Sequence, residues 1–260
     1  LGRRLVGIAN EKAGILKFGR PAVVSAQTRP VLGAITRAAR ARATPLWRQN
    51  YEWRLNHRKF GTIFESLVTR RLLPVPSLIG NHQRKNAGLA VASLDQMPDF
   101  PVSSSAVRQG LISTRWPGRL QRLAPGPLTR TIPPAVQVWV DGGHNAAAGV
   151  ALAEVARQYF CGYSLQLIVG MLKSKSLEEF LSPLAPFVER FWGITIPGES
   201  DSIPANVLAS RARCLGLLAE QAPDLETAVK SASVTASRIL ICGSLYLAGH
   251  TLAANNEAPT

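Results

Sequence analysis

Hydrophobic and polar residues follow two different patterns along this chain, and the change comes close to residue 114. The earlier part mixes short apolar runs, helical spacing and turn-forming residues. It predicts a strand at 21–27, a helix over 29–42, short strands over 45–76, a helix over 82–94, a Pro- and Ser-rich connector over 95–105 and a short helix at 105–112. This part of the pattern does not by itself specify a fold.

From residue 114 onward, apolar runs alternate with segments of helical periodicity. The predicted strands are 136–140, 165–172, 190–196 and 238–249, and the predicted helices are 145–159, 176–187, 204–219 and 224–233. Ser176, with Glu179 three residues later, has the spacing of a helix N-cap. Such alternation predicts an α/β fold whose sheet is mostly parallel and carries helices on both faces, with 238–249 completing the sheet.

Composition narrows the class of protein. Hydrophobic residues make up 46% of the chain, which is typical of globular proteins. No apolar run approaches the roughly 18–20 residues of a membrane span, and the first residues lack the apolar core of a secretory signal. Cys161, Cys214 and Cys242 are far apart and odd in number, so they suit neither a zinc site nor a disulfide framework. We expect three buried thiols and a reducing cytoplasm.

The formal charge of +14 calls for an explanation, because 23 of the 30 basic residues are arginine. Such an excess is typical of nucleic-acid-binding proteins. However, the chain has no aromatic-interleaved recognition motif, zinc finger or repeated basic helix. A solvated basic surface, suited to anionic small substrates, is the simpler interpretation, and we expect no nucleic-acid partner.

Four short segments, in this order, carry a family resemblance. They are LGRRLVGIANEKAGIL (1–16), GNHQRKNAGLAVASL (80–94), RWPGRLQRL (115–123) and VDGGHNAAA (140–148). Together they resemble the later half of folylpolyglutamate synthase / dihydrofolate synthase, a member of the Mur-ligase superfamily. The resemblance implies that 1–113 is the end of a Mur-ligase-type central ATPase domain. It implies that 114–260 is a Rossmann-like C-terminal domain that binds glutamate.

The resemblance assigns roles to five residues. Lys12, as a carbamate, would help to hold Mg²⁺, which prefers oxygen ligands. Asn86 would contact the adenine, because a side-chain amide can donate to and accept from a purine edge. Arg119 would reach the nucleotide phosphates. Asp141 would bind the nucleotide at the end of a strand, with His144 close by.

Residues beside these motifs have simpler interpretations. We expect His82 to form a local hydrogen bond at a helix start and Trp116 to pack inside the protein. The family usually has alanine where Gly143 stands and proline where Ala146 stands, and both changes are small.

Two further segments resemble the family less closely. In GMLKSKS (170–176), Lys175 matches a family lysine, but serines occupy the positions of its acidic neighbours, which weakens the case for acceptor binding. In GSLYL (243–247), Ser244 could face the acceptor glutamate, although packing within the last strand is the simpler interpretation. The sequence contains no G-x-x-x-x-G-K-[ST] phosphate loop, which in the family lies before the E-K-A-G motif.

The implied function is an ATP-dependent amide ligase that uses ATP and Mg²⁺. It would activate a carboxylate of dihydropteroate or a folate as an acyl phosphate, which the amine of L-glutamate then attacks. The implied enzyme is a cytoplasmic monomer at full length. Because the chain begins with Leu1, inside a helical pattern, we expect an N-terminally truncated piece that is inactive alone. A non-catalytic remnant and a Mur-type peptidoglycan precursor ligase are the alternatives.

Overall fold

A computed structural model describes residues 5–257 and divides the chain into two compact units. The first unit runs to Ser77 and continues over Asn81–Thr114, while the second takes Leu78–Gly80 and the chain from Arg115 onward. The division falls one residue after the change of pattern in the sequence. The assignment of 1–113 to an ATPase domain and of 114–260 to a glutamate-binding domain stays a prediction.

The first unit combines helices with two small sheets. Its elements are α1 (Leu5–Lys12), a 3-10 turn (Ala13–Ile15), β1 (Ala22–Val24), α2 (Arg29–Ala41), β2 (Leu46–Arg48), β3 (Trp53–Arg58), β4 (Gly61–Ser66), β5 (Arg70–Leu73), α3 (Asn81–Leu94) and α4 (Ser104–Ser113). Strands β1 and β2 are parallel, and β3, β4 and β5 form an antiparallel sheet in that order. The short strands expected over 45–76 are therefore confirmed.

The core of the first unit forms where α3 lies against the antiparallel sheet. Trp53 and Phe64, on neighbouring strands, are fully buried and stack with ring centroids 6.1 Å apart. Gly88 allows the helix to approach closely, because a Cβ atom there would lie 2.5 Å from the Leu55 side chain. Thr62 and Phe64, two residues apart on β4, are both buried and lie on the same face of the sheet.

The second unit is a single six-stranded sheet flanked by helices. Its elements are β6 (Gln121–Arg122), a 3-10 turn (Thr129–Thr131), β7 (Gln137–Val140), α5 (Ala146–Tyr159), β8 (Leu165–Val169), α6 (Leu177–Leu181), a 3-10 turn (Ala185–Phe187), β9 (Arg190–Gly193), α7 (Ala205–Cys214), β10 (Ala219–Gln221), α8 (Leu225–Ser233), β11 (Arg238–Cys242) and α9 (Leu245–Ala254). The strand order is β10-β9-β8-β11-β7-β6, and every pair is parallel except β6 with β7.

Two apolar cores lie on the two faces of this sheet. All five residues of β8 are buried, as expected for a strand covered on both sides. Its one polar side chain, Gln166, accepts from the Trp192 indole N–H at 2.7 Å and donates to Thr235 Oγ1 at 2.7 Å. The mostly parallel sheet predicted from the sequence is therefore confirmed. None of the helices within residues 5–257 is long and apolar enough to cross a membrane.

Four expectations about individual segments were wrong. Cys161 and Cys214 are exposed and only Cys242 is buried, because the first two lie at helix ends and the third lies in the central strand β11. Trp116 is 63% exposed in a surface turn. The segment 238–249 is not one strand, because the chain turns at Gly243, where φ is +102°, and continues as α9. The helix expected over 204–219 ends at Cys214.

Candidate functional site

The carboxyl ends of β7, β11 and β8 meet at one edge of the large sheet, with β11 between the other two. The chain runs from β7 to β8 and returns later to fill the gap with β11, so this edge is a point where the direction of winding reverses. Ligands of open α/β sheets bind outside such carboxyl ends. The segments that follow these strands bring four predicted site residues, Asp141, His144, Lys175 and Ser244, to this edge.

The carboxylate of Asp141 holds two of the surrounding segments together. Asp141 is 7% exposed; its Oδ2 accepts from the backbone N–H of Leu120 at 2.9 Å, and its Oδ1 accepts from that of Gly143 at 2.7 Å. Leu120 directly follows Arg119, and Gly143 directly precedes His144. One carboxylate therefore fixes the backbone beside both of these candidate residues.

Backbone hydrogen bonds reinforce this connection between residues 118–120 and 141–143, which we call the Asp141 junction. The N–H of Gly142 donates to the carbonyl of Gly118 at 2.8 Å, and the N–H of Gly243 donates to the carbonyl of Gly143 at 2.9 Å. A Cβ atom at Gly142 would lie 2.3 Å from Leu245 Cδ2. At Gly143 it would lie 2.8 Å from Asp141 Oδ1, so alanine there would require a shift in this junction. Glycine at both positions therefore allows close packing within this junction.

Arg119 is presented by a tight turn. Gly118 has φ +68° and Leu120 has φ +42°, so two residues flanking the arginine adopt the left-handed conformation. The side chain of Arg119 is exposed and makes no ion pair with any residue from 5 to 257. The turn is therefore rigid at its backbone while the guanidinium can bind an anion.

His144 and Asn145 connect the junction to helix α5. His144 Nδ1 lies 2.9 Å from the carbonyl oxygen of Gly142. A carbonyl only accepts, so Nδ1 carries the hydrogen in this bond, and Nε2 is the ring nitrogen left to interact with a ligand. Asn145 caps α5 by accepting from the Ala148 N–H at 2.9 Å. The cap satisfies one of the backbone N–H groups that are left without partners at the start of a helix.

The hydrogen bonds described for the Ser244 hydroxyl and the Lys175 backbone N–H are local, to residues two or three positions away in the chain. Ser244 is buried, and its hydroxyl accepts from the Tyr246 N–H at 3.1 Å as the N-cap of α9. The expected packing within a strand is wrong for this residue, since β11 has already ended. Lys175 is partly buried in the segment after β8, where its backbone N–H donates to the Leu172 carbonyl at 3.0 Å.

The two remaining candidates belong to the first unit. Lys12 is the exposed last residue of α1, and Asn86 is exposed on α3, where its Nδ2 donates to Gln83 Oε1 at 3.1 Å. His82, one turn before Asn86, is partly buried. Lys12 and Asn86 lie on different helices, and no described hydrogen bond connects them.

Burial perturbs one titratable group next to the junction. Two causes raise the pKa of the Cys242 thiol well above its usual range: burial is the larger, and the charge of the nearby Asp141 carboxylate is the smaller. This thiol stays protonated at neutral pH and is not a nucleophile.

The sequence did not reveal that the backbone N–H groups of Leu120 and Gly143 bind Asp141, because such pairing depends on the fold.

Curated proteins of known function include several that are similar to this chain in sequence. No family model matches it. The dihydrofolate synthase/folylpolyglutamate synthase of Bacillus subtilis is 29% identical over 262 residues, which are 95% of this chain and 57% of the relative. The corresponding Escherichia coli protein is 26% identical over 255 residues. The chain spans somewhat more than half the length of the curated relatives it matches.

Solved structures give the same result. The E. coli FolC in complex with DHPP and ADP has a TM-score of 0.84 and 25% identity, and the match covers 98% of this chain and 58% of that one. The bifunctional synthase from Yersinia pestis complexed with AMPPNP and Mn ion has a TM-score of 0.83 and 28% identity. This chain is therefore similar in sequence and in structure to the folylpolyglutamate/dihydrofolate synthases. Its fold is therefore the Mur-ligase type expected from the sequence motifs.

The folylpolyglutamate/dihydrofolate synthase relatives include structures with a divalent metal, which raises the question of metal ligands in this chain. Within residues 5–257, no group of three His, Cys, Asp or Glu side chains is arranged to hold a metal ion. Lys12, if carbamylated, would supply one oxygen donor from the end of α1. These residues alone do not form a complete magnesium site, so we assign no chemical step to the metal here.

Proposed function

We propose that this chain forms part of an ATP-dependent ligase that joins L-glutamate to dihydropteroate, to the glutamate chain of a folate, or to both. The carbon–nitrogen bond would form after ATP phosphorylates the carboxylate of dihydropteroate or of the folate to an acyl phosphate. The amine of glutamate would then attack the carbonyl carbon and release phosphate. The observation that carries the proposal is the Asp141 junction, which fixes the segments of Arg119 and His144 at the carboxyl edge of the sheet.

In this proposal the second unit positions the nucleotide and neutralises the charge on its phosphate groups, as phosphoryl transfer demands. Arg119 would neutralise the phosphate oxygens, since its guanidinium is exposed and not paired with an acid of the described chain. His144 would offer Nε2 to the nucleotide or its bound water. Asp141 would act as a positioning residue, because both of its oxygens already accept backbone hydrogen bonds.

The other candidates would have their own roles in the reaction. Asn86 would recognise the adenine through its amide, and Lys12 would contribute a carbamate oxygen toward the Mg²⁺ that accompanies ATP. Lys175, partly buried after β8, would attract a carboxylate of the acceptor glutamate. Ser244 is a weaker candidate for that contact, because its hydroxyl oxygen already caps α9.

Binding of ADP with magnesium to the purified chain tests the role of Arg119. We expect Arg119→Gln to weaken ADP binding about tenfold or more, the loss expected for a hydrogen bond to a charged group. Arg122→Gln is the matched control, because Arg122 is exposed on the neighbouring strand β6 and carries the same charge. An equal loss in both variants would contradict a specific phosphate contact.

Turnover is the second test. The assay measures ATP-dependent phosphate release with magnesium, L-glutamate and either dihydropteroate or tetrahydrofolate. We expect no turnover by the 260 residues alone, whose sequence has no phosphate-loop motif, and turnover when a segment that carries a phosphate loop is joined in front of them. If ADP does not bind and the longer protein is also inactive, the chain is a non-catalytic remnant and the proposal fails.

A further inference from the structure

The positive charge of this protein is concentrated in its first unit. Up to residue 114 the sequence has 18 basic and five acidic residues, whereas from residue 115 it has 12 basic and 11 acidic residues. The net charge is thus +13 in the first part and +1 in the second. A GC-rich coding sequence would add arginine to both parts, so it does not explain this asymmetry.

Five basic side chains of the first unit converge at the tip of the β3–β4 hairpin and the first turns of α3. This group, the basic hairpin cluster, consists of His57, Arg58, Lys59, Arg84 and Lys85. Arg84 Nη2 donates to the Arg58 carbonyl at 3.0 Å and lies 3.4 Å from the Gly61 carbonyl. The helix is therefore fastened to the hairpin, and the cluster is part of a defined surface.

The cluster has no acidic partner among the described residues. The acidic residues Glu52, Glu65 and Asp95 of this unit pair instead with arginines outside the cluster, at positions 48, 54, 70 and 71. The positive field is evident at His57, whose pKa is lowered by burial and then by the charges of Arg84 and Lys85. Neutral His57 shares a hydrogen bond with Thr62 at 3.0 Å.

The chemistry of the cluster suits an extended anion. Arg58, Lys59 and Lys85 are exposed, so three cationic groups can bind separate anionic groups at once. Guanidinium and ammonium groups form charge-assisted hydrogen bonds with carboxylates, and the amino end of α3 adds to the positive potential. Arg84 lies two residues before Asn86, which puts the two side chains on opposite sides of the helix. Arg84 therefore points away from the proposed adenine contact, whereas Lys85 directly precedes Asn86 on the helix.

We propose that the basic hairpin cluster binds a chain of regularly spaced carboxylates, the oligo-γ-glutamyl chain of a folate. This inference rests on the proposed function, because that reaction accepts or makes such a chain. The cluster would bind several carboxylates of one chain at once, so that affinity for the chain rises with its length.

The test is a binding titration of the purified protein with γ-linked tetraglutamate that carries no pteridine. The double variant Arg58→Gln/Lys59→Gln removes two positive charges from the cluster. The matched control, Arg37→Gln/Arg40→Gln, removes two exposed charges from α2 of the same unit. We expect the first variant to weaken binding about fivefold or more, as for two exposed ion pairs, and the control to change it less than about twofold.

Several results would overturn the inference. They are an equal loss in both variants, no difference in affinity between glutamate and tetraglutamate, and cluster-dependent binding of tripolyphosphate or a short RNA without binding of tetraglutamate. The titration needs neither ATP nor turnover. ADP binding without tetraglutamate binding therefore defeats this inference alone, whereas the ADP and turnover assays test the proposed ligase separately.

Discussion

Replacing Asp141 by asparagine tests the junction at the carboxyl edge of the large sheet. The new side chain keeps the shape of aspartate but has one carbonyl oxygen, so it can accept from Leu120 or Gly143 but not from both. Its amide group then faces an N–H donor. Losing a hydrogen bond to a charged group costs about 1.5–3 kcal/mol, and a buried N–H without an acceptor costs about 1–3 kcal/mol. Because the two effects overlap, we expect a loss of about 2–4 kcal/mol.

Urea unfolding of the second unit measures this loss. With a slope of about 2 kcal/mol/M, the midpoint should fall by about 1–2 M. Amide hydrogen exchange locates the effect, because the N–H groups of Leu120 and Gly143 should exchange faster while those of β8 stay protected. Asp201→Asn, at an exposed position, is the control. A loss below about 0.5 kcal/mol, with unchanged exchange at both amides, would refute the assignment of Asp141 as the centre of the junction.

Three further predictions concern buried and paired groups. The indole N–H of Trp139 is buried without a hydrogen-bond partner among the described residues, so Trp139→Phe should leave the urea midpoint unchanged or raise it. In the native protein a thiol reagent should modify Cys161 and Cys214 quickly and Cys242 only after unfolding, and mass spectrometry of the labelled peptides checks this. A hydrogen bond from its arginine partner lowers the pKa of Glu52, so its stabilisation is present near neutral pH and is lost as the pH falls through that lowered value. The difference in urea midpoint between the wild type and Glu52→Gln should therefore shrink in acid, whereas a constant difference would contradict this assignment.

The sequence alone predicted the class of the fold, most of its strands and helices in order, and the resemblance to the synthases. Apolar runs such as 165–172 have to be buried on both faces, and alternation of such runs with amphipathic helices allows few arrangements other than a parallel sheet. Local spacing was also sufficient for the Ser176 cap, whose hydroxyl accepts from the Glu179 N–H at 3.3 Å. These features depend on neighbours within a few residues, which the sequence displays directly.

Tertiary structure decided how the site is held together. Asp141 and Leu120 are 21 residues apart, and their hydrogen bond follows from the antiparallel pairing of β6 with β7, which sets Gln121 opposite Val140 and so brings Leu120 to the end of β7. The same limit explains the errors at Cys161 and Cys214, since residue type alone does not say which side of a helix end faces solvent. The basic hairpin cluster likewise combines two segments that are distant in sequence, and only packing of α3 on the hairpin brings their charges together.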